Sequence, residues 1–309
     1  MNLIIGASGF VGNEIFNQLK EKEKPLKGTY YNNINPDLYK LNMASQEEVK
    51  LAFEKFKPKN IFMPAFIPGV DYCELNDKPN EINKLGVTYV VEMCKKFNSK
   101  LIFYSSDYIF DGVSGPYLET DKPNPINRYG QTKLLCENLV KQLQNYLIIR
   151  TTVVYGYSPE SKNFLMTLTK DLKNQIEKAI PNDQIGSPTH VKDLAEISIK
   201  LVEENKNGIY SVVGPDLCSR YVFALKIARS FGLNEDLIKP ISTRQLNQPA
   251  KRPLRAGLII DKIRIDINAN PSGIDTVLNT IRREINDKKS WIRVFCDEKK
   301  CLIILKLRN

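Results

Sequence analysis

Tyr129 and Lys133 stand four residues apart in Tyr129-Gly-Gln-Thr-Lys133, the single Tyr-x-x-x-Lys of the chain. On a helix this spacing puts both side chains on one face. An ammonium beside a phenol favours the phenolate and lowers a reference pKa of about 10 toward the working pH. A phenol tuned that way is a general acid, suited to protonating a carbonyl oxygen while hydride reaches the carbonyl carbon. With 14 tyrosines and many lysines, about one such pair is expected by chance, so its place in the chain carries the weight. The bland alternative is a half-buried tyrosine beside a surface lysine. Upstream, Ser105-Ser106-Asp107 closes an apolar run, where a hydroxyl could hydrogen-bond the reacting oxygen. Alone, such a triplet is more often a turn or a helix cap. Asp111-Gly112 reads as a turn.

Gly6-Ala-Ser-Gly9-Phe-Val-Gly12 follows the first apolar run and opens a helical stretch. Glycines there allow a tight turn and let backbone approach a pyrophosphate at the helix N-terminus. Three glycines alone also fit an ordinary strand–helix turn. Their position at the start of a β-α-β unit points to a dinucleotide, held by Gly6, Ser8, Gly9, Phe10, Val11 and Gly12. The second strand ends Thr29-Tyr30-Tyr31-Asn32-Asn33, without the acid that would accept a ribose 2′-hydroxyl. That favours NADP over NAD, and leaves NAD open.

Positioning these residues requires an alternating frame. Strands are expected at Asn2–Ile5, Leu26–Tyr31, Asn60–Met63, Lys100–Ser105 and Tyr146–Arg150. Helices are expected at Phe10–Glu21, Ser45–Phe56, Asn80–Phe97 and Asn127–Gln144. The fold class is therefore α/β, a Rossmann-type doubly wound parallel sheet with a smaller substrate-binding lobe. Residues 1–155 form the NAD(P)-binding domain. Residues 156–285 form the substrate lobe, partly interleaved with the first. It has helices at Ser161–Lys173, Val191–Glu204 and Ser219–Phe231, and a strand at Gly208–Val213. Residues 286–309 form an extension read as a β-hairpin, with apolar arms WIRVF and CLIILKL around CDEKK.

The 309 residues are 42% hydrophobic and 26% charged, which excludes a disordered or fibrous chain. The longest apolar runs fall short of the roughly 18 residues of a membrane span. The N-terminus lacks a basic start and a long apolar stretch, and the six cysteines form no CxxC, so a reduced, cytoplasmic protein is expected, with no metal site. One histidine excludes mechanisms that need a histidine pair. The net charge is +10, and the last 28 residues hold nine Lys/Arg against four Asp/Glu. That excess suits a phosphate-bearing small ligand or a solvated surface, and neither nucleic acid nor membrane is expected as a partner.

GASGFVG, YSSDYIFDG, PNPINRYGQTK, IIRTTVVYG and DQIGSPTHVKDLA, in this order, resemble the dTDP-4-dehydrorhamnose reductase family over residues 1 to about 285. These are extended short-chain dehydrogenases that reduce a 4-keto nucleotide sugar with NAD(P)H. The resemblance implies Ser106, Tyr129 and Lys133 as catalytic residues, with Tyr129 as proton donor and Lys133 on the nicotinamide ribose. It places Asp107 and Tyr108 on the sugar and puts Asp183 and Gln184, with Gly186, Pro188 and Thr189, in a substrate-lobe signature. Arg252 falls near the nucleotide diphosphate, where a guanidinium fork pairs with phosphate oxygens. A homodimer is implied as well. Met63-Pro-Ala-Phe-Ile-Pro68, Val153 and Leu254-Arg255 depart from the family pattern and reshape the substrate side. Two alternatives stay open. One is a nucleotide-sugar epimerase or dehydratase with tightly held NAD; the dehydratase is disfavoured because Tyr108 is not a Glu. The other is a non-catalytic module resembling the beta subunit of methionine adenosyltransferase.

Overall fold

A computed structural model describes the backbone of residues 1–297 and the side chains of residues 1–286. Six strands build most of the main sheet: β1 (Asn2–Ile4), β2 (Leu26–Tyr30), β3 (Tyr39–Lys40), β4 (Asn60–Met63), β5 (Lys100–Ser106) and β6 (Tyr146–Thr151). The strand Gly208–Ser211 completes it, in the order Gly208–Ser211, β6, β5, β4, β1, β2, β3. All neighbours pair in parallel. The order reverses between β1 and β4, and ligands of such sheets sit beyond the carboxyl ends of the strands at that point. The glycine loop leaves β1 there, and Ser106 ends β5 at the same edge.

The sheet is covered on both faces because its strands are apolar at successive positions. Ile4, Phe62, Ile102 and Leu147 point to one face, against α1 (Phe10–Glu21) and α7 (Val191–Glu203). Leu3, Ile61, Leu101, Phe103 and Ile148 point to the other, against α2 (Gln46–Phe56) and α4 (Lys78–Phe97). Between these two helices lies the short α3 (Val70–Leu75), and α5 (Arg128–Val140) packs beside α4.

The chain returns to the first lobe after leaving it. Helix α7 packs on α1, and Gly208–Ser211 pairs with β6, so residues 191–211 belong spatially with the dinucleotide lobe. A separate core, with Leu165, Leu168, Phe223, Ile227, Ile238 and Leu278, joins α6 (Phe164–Lys173), α8 (Arg220–Phe231) and the helix Ile274–Asp297. The hairpin expected at the C-terminus is corrected in its first arm: Trp291–Phe295 continue the helix Ile274–Asp297. No glycine or proline interrupts that stretch, and extending a formed helix avoids the cost of nucleation. The second arm lies outside the described residues.

Two features hold α5 in place. Arg150 of β6 makes a buried bidentate pair with Glu137 of α5, Nε–Oε1 3.1 Å and Nη2–Oε2 2.9 Å. At the other end, the Asn127 side chain caps the helix, accepting from Gly130 N at 2.8 Å, and donates to Lys251 O at 2.9 Å. A Cβ on Gly130 would lie 2.1 Å from Tyr108 O, so glycine is what lets the first turn of α5 rest on the end of β5.

Candidate active site

That close approach brings Tyr129 to Ser106, Asp107 and Tyr108. The Ser106 hydroxyl donates to Asp107 Oδ1 at 3.0 Å and accepts from Tyr108 N at 3.2 Å, and its pull on the Tyr129 phenol opposes the burial that raises it. Ser106 is 8% exposed and Asp107 3%. The Tyr129 ring is held edge-on by Phe66, centroids 5.7 Å apart, and by Tyr108 at 6.1 Å. Burial pushes the Asp107 carboxyl up to about 6, against hydrogen bonds from Thr152 and Ser106 and the charge of Arg220. The site thus gathers a serine hydroxyl, a phenol and a carboxyl raised by burial at one strand end.

The pairing expected of Tyr129 and Lys133 is corrected. Tyr129 is shifted up, not down, first by burial and then by the Asp107 charge, with the Ser106 hydrogen bond opposing. Lys133 lies on the same face of α5, but its ammonium donates to Tyr104 O at 2.6 Å and sits 3.5 Å from the Phe66 ring centroid. It is 5.9 Å from the Tyr129 ring. Burial lowers the amine to about 7, so it carries only part of a charge at neutral pH. Spacing put the two groups together; the apolar surroundings decided their ionisation.

The glycine loop joins β1 to α1 as expected. A Cβ on Gly12 would lie 2.1 Å from Gly6 O, and Gly6 itself has φ +94°. At Gly9, the residue before α1, a Cβ would meet only Gly6 O, at 3.3 Å. The first turn of α1, Phe10-Val11-Gly12, contains no acid and its cap has no side-chain hydrogen bond, leaving backbone donors for an anion. Ser8 lies in the loop itself. These residues fit the pyrophosphate of a dinucleotide.

The remaining expected residues separate into two groups. Asp183 accepts from Thr243 N at 2.9 Å and Thr243 Oγ1 at 2.6 Å, and Gln184 donates to Thr243 and Gln248, both at 3.1 Å. Both shape the 242–248 segment of the smaller lobe. Arg252 is 8% exposed at its side chain and is tied to Asp71 Oδ2 at 2.7 Å and to Ala250 O at 3.1 Å. Its charge still bears on Tyr108. The sequence gives no sign of the contact of Phe66 with Lys133, or of Thr152 and Arg220 as influences that pull the Asp107 carboxyl down against burial. Phe66 stands in a segment that departs from the family pattern and Thr152 in the IIRTTVVYG motif, while Arg220 carries no local signal.

A family model described as the RmlD substrate binding domain matches residues 1–284. The chain belongs to this family. Spore coat polysaccharide biosynthesis protein SpsK of Bacillus subtilis is 35% identical to this RmlD-family chain over 254 residues, 81% of this chain and 86% of the relative. The dTDP-4-dehydrorhamnose reductase of Aggregatibacter actinomycetemcomitans is 31% identical over 294 residues, 91% and 97% of the two chains. Methionine adenosyltransferase 2 subunit beta of Xenopus laevis is 30% identical over 249 residues, 78% and 75%. The crystal structure of dTDP-4-dehydrorhamnose reductase from Bacillus anthracis in complex with NADP superposes with a TM-score of 0.82 at 27% identity, covering 92% and 98%.

The buried lysine of this RmlD-family site has a measurable consequence. Lys133 loses its proton near pH 7 in the fold and near pH 10.4 in the unfolded chain. Between those values the unfolded chain binds more protons, so stability rises with pH. Lys133→Met removes this titration. Urea melts of both proteins at pH 7 and pH 9.5 should show wild type gaining on the variant with pH, by on the order of a few kcal/mol. A pH-independent difference would mean the amine is not buried.

Proposed function

We propose that this chain is an NADP-dependent reductase of a keto group on a nucleotide-linked sugar, acting in surface-polysaccharide or deoxysugar biosynthesis. The observation that carries the reading is the meeting of Ser106 and Tyr129 at the carboxyl end of β5, on the sheet edge where the glycine loop opens. The names of the reductase and spore-coat relatives support it, as does NADP in the B. anthracis structure.

Bound at the glycine loop, the nicotinamide would supply hydride. The chain's own residues do the rest. The Tyr129 hydroxyl stays protonated at neutral pH and gives its proton to the substrate oxygen as negative charge develops there. The Ser106 hydroxyl, held by Asp107 and the Tyr108 amide, stands at the same strand end to hydrogen-bond the substrate oxygen. Lys133, on the same helical face, offers positive charge to the phenolate left behind. The rings of Phe66 and Tyr108, edge-on to Tyr129, lower the local polarity and strengthen these interactions.

A second reading, the non-catalytic module, draws on the same lysine, turned to Tyr104 O and away from the phenol. It draws also on the similarity to the methionine adenosyltransferase subunit. Turnover separates the two. Purified protein is mixed with NADPH and a panel of dTDP-, UDP- and GDP-linked 4-keto sugars, and absorbance at 340 nm is followed. Stoichiometric NADPH oxidation with one of them is expected; none with any of them puts the module first.

The reading also places the protein in the cytoplasm as a homodimer. Among the described residues no helix is long and apolar enough to cross a membrane. Leu85 of α4 and Leu135 of α5 are exposed on adjacent helices and support a contact between copies. Sedimentation at micromolar concentration reads the oligomeric state.

A further inference from the structure

Lys133 is 4% exposed, and its Nζ donates to Tyr104 O at 2.6 Å. No carboxylate makes an ion pair with it among the described residues. Glu137, one turn further along α5, is taken by Arg150 through Nε at 3.1 Å and Nη2 at 2.9 Å. The other titratable groups that bear on the amine are Cys136, on α5, and Cys73, on α3. Burial pushes both thiols up and keeps them neutral. A buried ammonium without a counter-ion is costly unless something else meets its charge.

Aromatic rings meet it here. The Phe66 ring centroid lies 3.5 Å from Nζ, that of Phe103 4.9 Å and that of Tyr129 5.9 Å. The negative face of such a ring attracts a cation within about 6 Å, and most strongly where water is excluded. Phe66 is the nearest of the three, is half-buried, and comes from the segment after β4 that departs from the family pattern. Its ring also stands edge-on to Tyr129, centroids 5.7 Å apart at 89°, so one side chain touches both members of the Tyr-x-x-x-Lys pair. The backbone around it is pinned. Ala65 N donates to Ile5 O at 3.2 Å. The wholly buried Asn83 of α4 accepts from Ile67 N at 2.8 Å and donates to Ile67 O at 3.2 Å.

We propose that Phe66 is the positioning residue of this lysine: its ring face and the Tyr104 carbonyl form a seat that holds the Lys133 ammonium charged beside the Tyr129 ring. The seat stands on geometry. Its part in turnover rests on the reductase reading, in which that charge meets the phenolate left on Tyr129. Leucine or methionine at position 66 would fill the space with apolar atoms and remove the ring face. Burial would then favour the neutral amine more strongly. A desolvated cation–π contact corresponds to roughly a three- to thirtyfold change in proton affinity. The midpoint of Lys133, near 7 in wild type, should fall by roughly 0.5–1.5 pH units.

The test follows the amine itself. Full-length wild type, Phe66→Leu, Phe66→Met and Phe66→Tyr are labelled with lysine carrying 13C at Cε, and the resonances are followed against pH. The Lys133 signal is the one missing from Lys133→Met. The midpoint should fall in Phe66→Leu and Phe66→Met, of which one folded protein suffices, and stay at the wild-type value in Phe66→Tyr, which keeps the ring. A merely structural Phe66 would lower the melting temperature of the ring-free variants and leave the midpoint in place; that result would overturn the proposal. With an active keto-sugar, the alkaline fall of kcat should move to lower pH by the same amount in the ring-free variants and not in Phe66→Tyr. A kcat profile that stays while the midpoint moves would overturn the role in the reaction. A shifted midpoint in a protein that oxidises no NADPH would sink the reductase reading and leave the lysine seat standing.

Discussion

Replacing Tyr129 by Phe is expected to cut turnover on the active keto-sugar by roughly two to four orders of magnitude, the usual size of general acid catalysis. The change removes one oxygen and keeps the ring. Its edge-on contacts with Phe66 at 5.7 Å and Tyr108 at 6.1 Å survive, so packing and ligand affinity should stay nearly as they are. What goes is the hydroxyl beside Ser106, the proton source for the developing alkoxide. Steady-state kinetics should therefore show kcat collapsing with KM close to wild type, the mark of an interaction made in the transition state. Because burial and Asp107 hold the phenol protonated well above neutral pH, the wild-type rate should not fall on the alkaline side through loss of this proton. A Tyr129→Phe protein turning over at the wild-type rate would remove Tyr129 from the mechanism.

Gly12→Ala is expected to abolish cofactor binding and to destabilise the fold, whereas Gly9→Leu should abolish binding and leave a folded protein. The two glycines sit three residues apart, yet their surroundings differ. At position 12 the added methyl would lie 2.1 Å from Gly6 O and 2.8 Å from Gly6 C, which is backbone and cannot turn aside. Helix α1 would have to lift off β1, at a cost of about 1–3 kcal/mol or more. At position 9 the nearest atom is Gly6 O at 3.3 Å, and φ is an ordinary −89°. A leucine there projects at the start of α1, where the pyrophosphate would lie, and excludes it without breaking the core. Fluorescence titration with NADPH and thermal melts of both variants check this. Undiminished NADPH affinity in folded Gly9→Leu would overturn the pyrophosphate assignment, and an unshifted melting temperature in Gly12→Ala would contradict the loop geometry.

The features legible in the sequence were those fixed by neighbours along the chain. Apolar residues at successive positions in Asn60–Met63 and Lys100–Ser105 require strands covered on both sides, and both faces are buried. Gly6, Gly9 and Gly12 needed only the strand before them and the helix after them to be placed. Tyr129 and Lys133 share a helical face by spacing alone. The first arm expected of the C-terminal hairpin differs for a related reason: a short apolar run such as Trp291–Phe295 suits either a strand or a helix, and the helix already running from Ile274 decides it.

Tertiary structure decided what these groups do electrically and whom they meet. The Tyr-x-x-x-Lys spacing implied a lowered phenol, but ionisation follows dielectric and charge in three dimensions, and burial raised Tyr129 and lowered Lys133. Arg252 looked free for a phosphate because Asp71, 181 residues earlier, gives no sign along the chain that it will reach it. Antiparallel pairing of Cys218–Ser219 with Ile185–Gly186 ties the start of α8 to Gln184, a contact that no local spacing announces. Local spacing specifies elements because their hydrogen bonds close within a few residues. A site between two lobes is specified by contacts distant in sequence, which only the packed chain brings together.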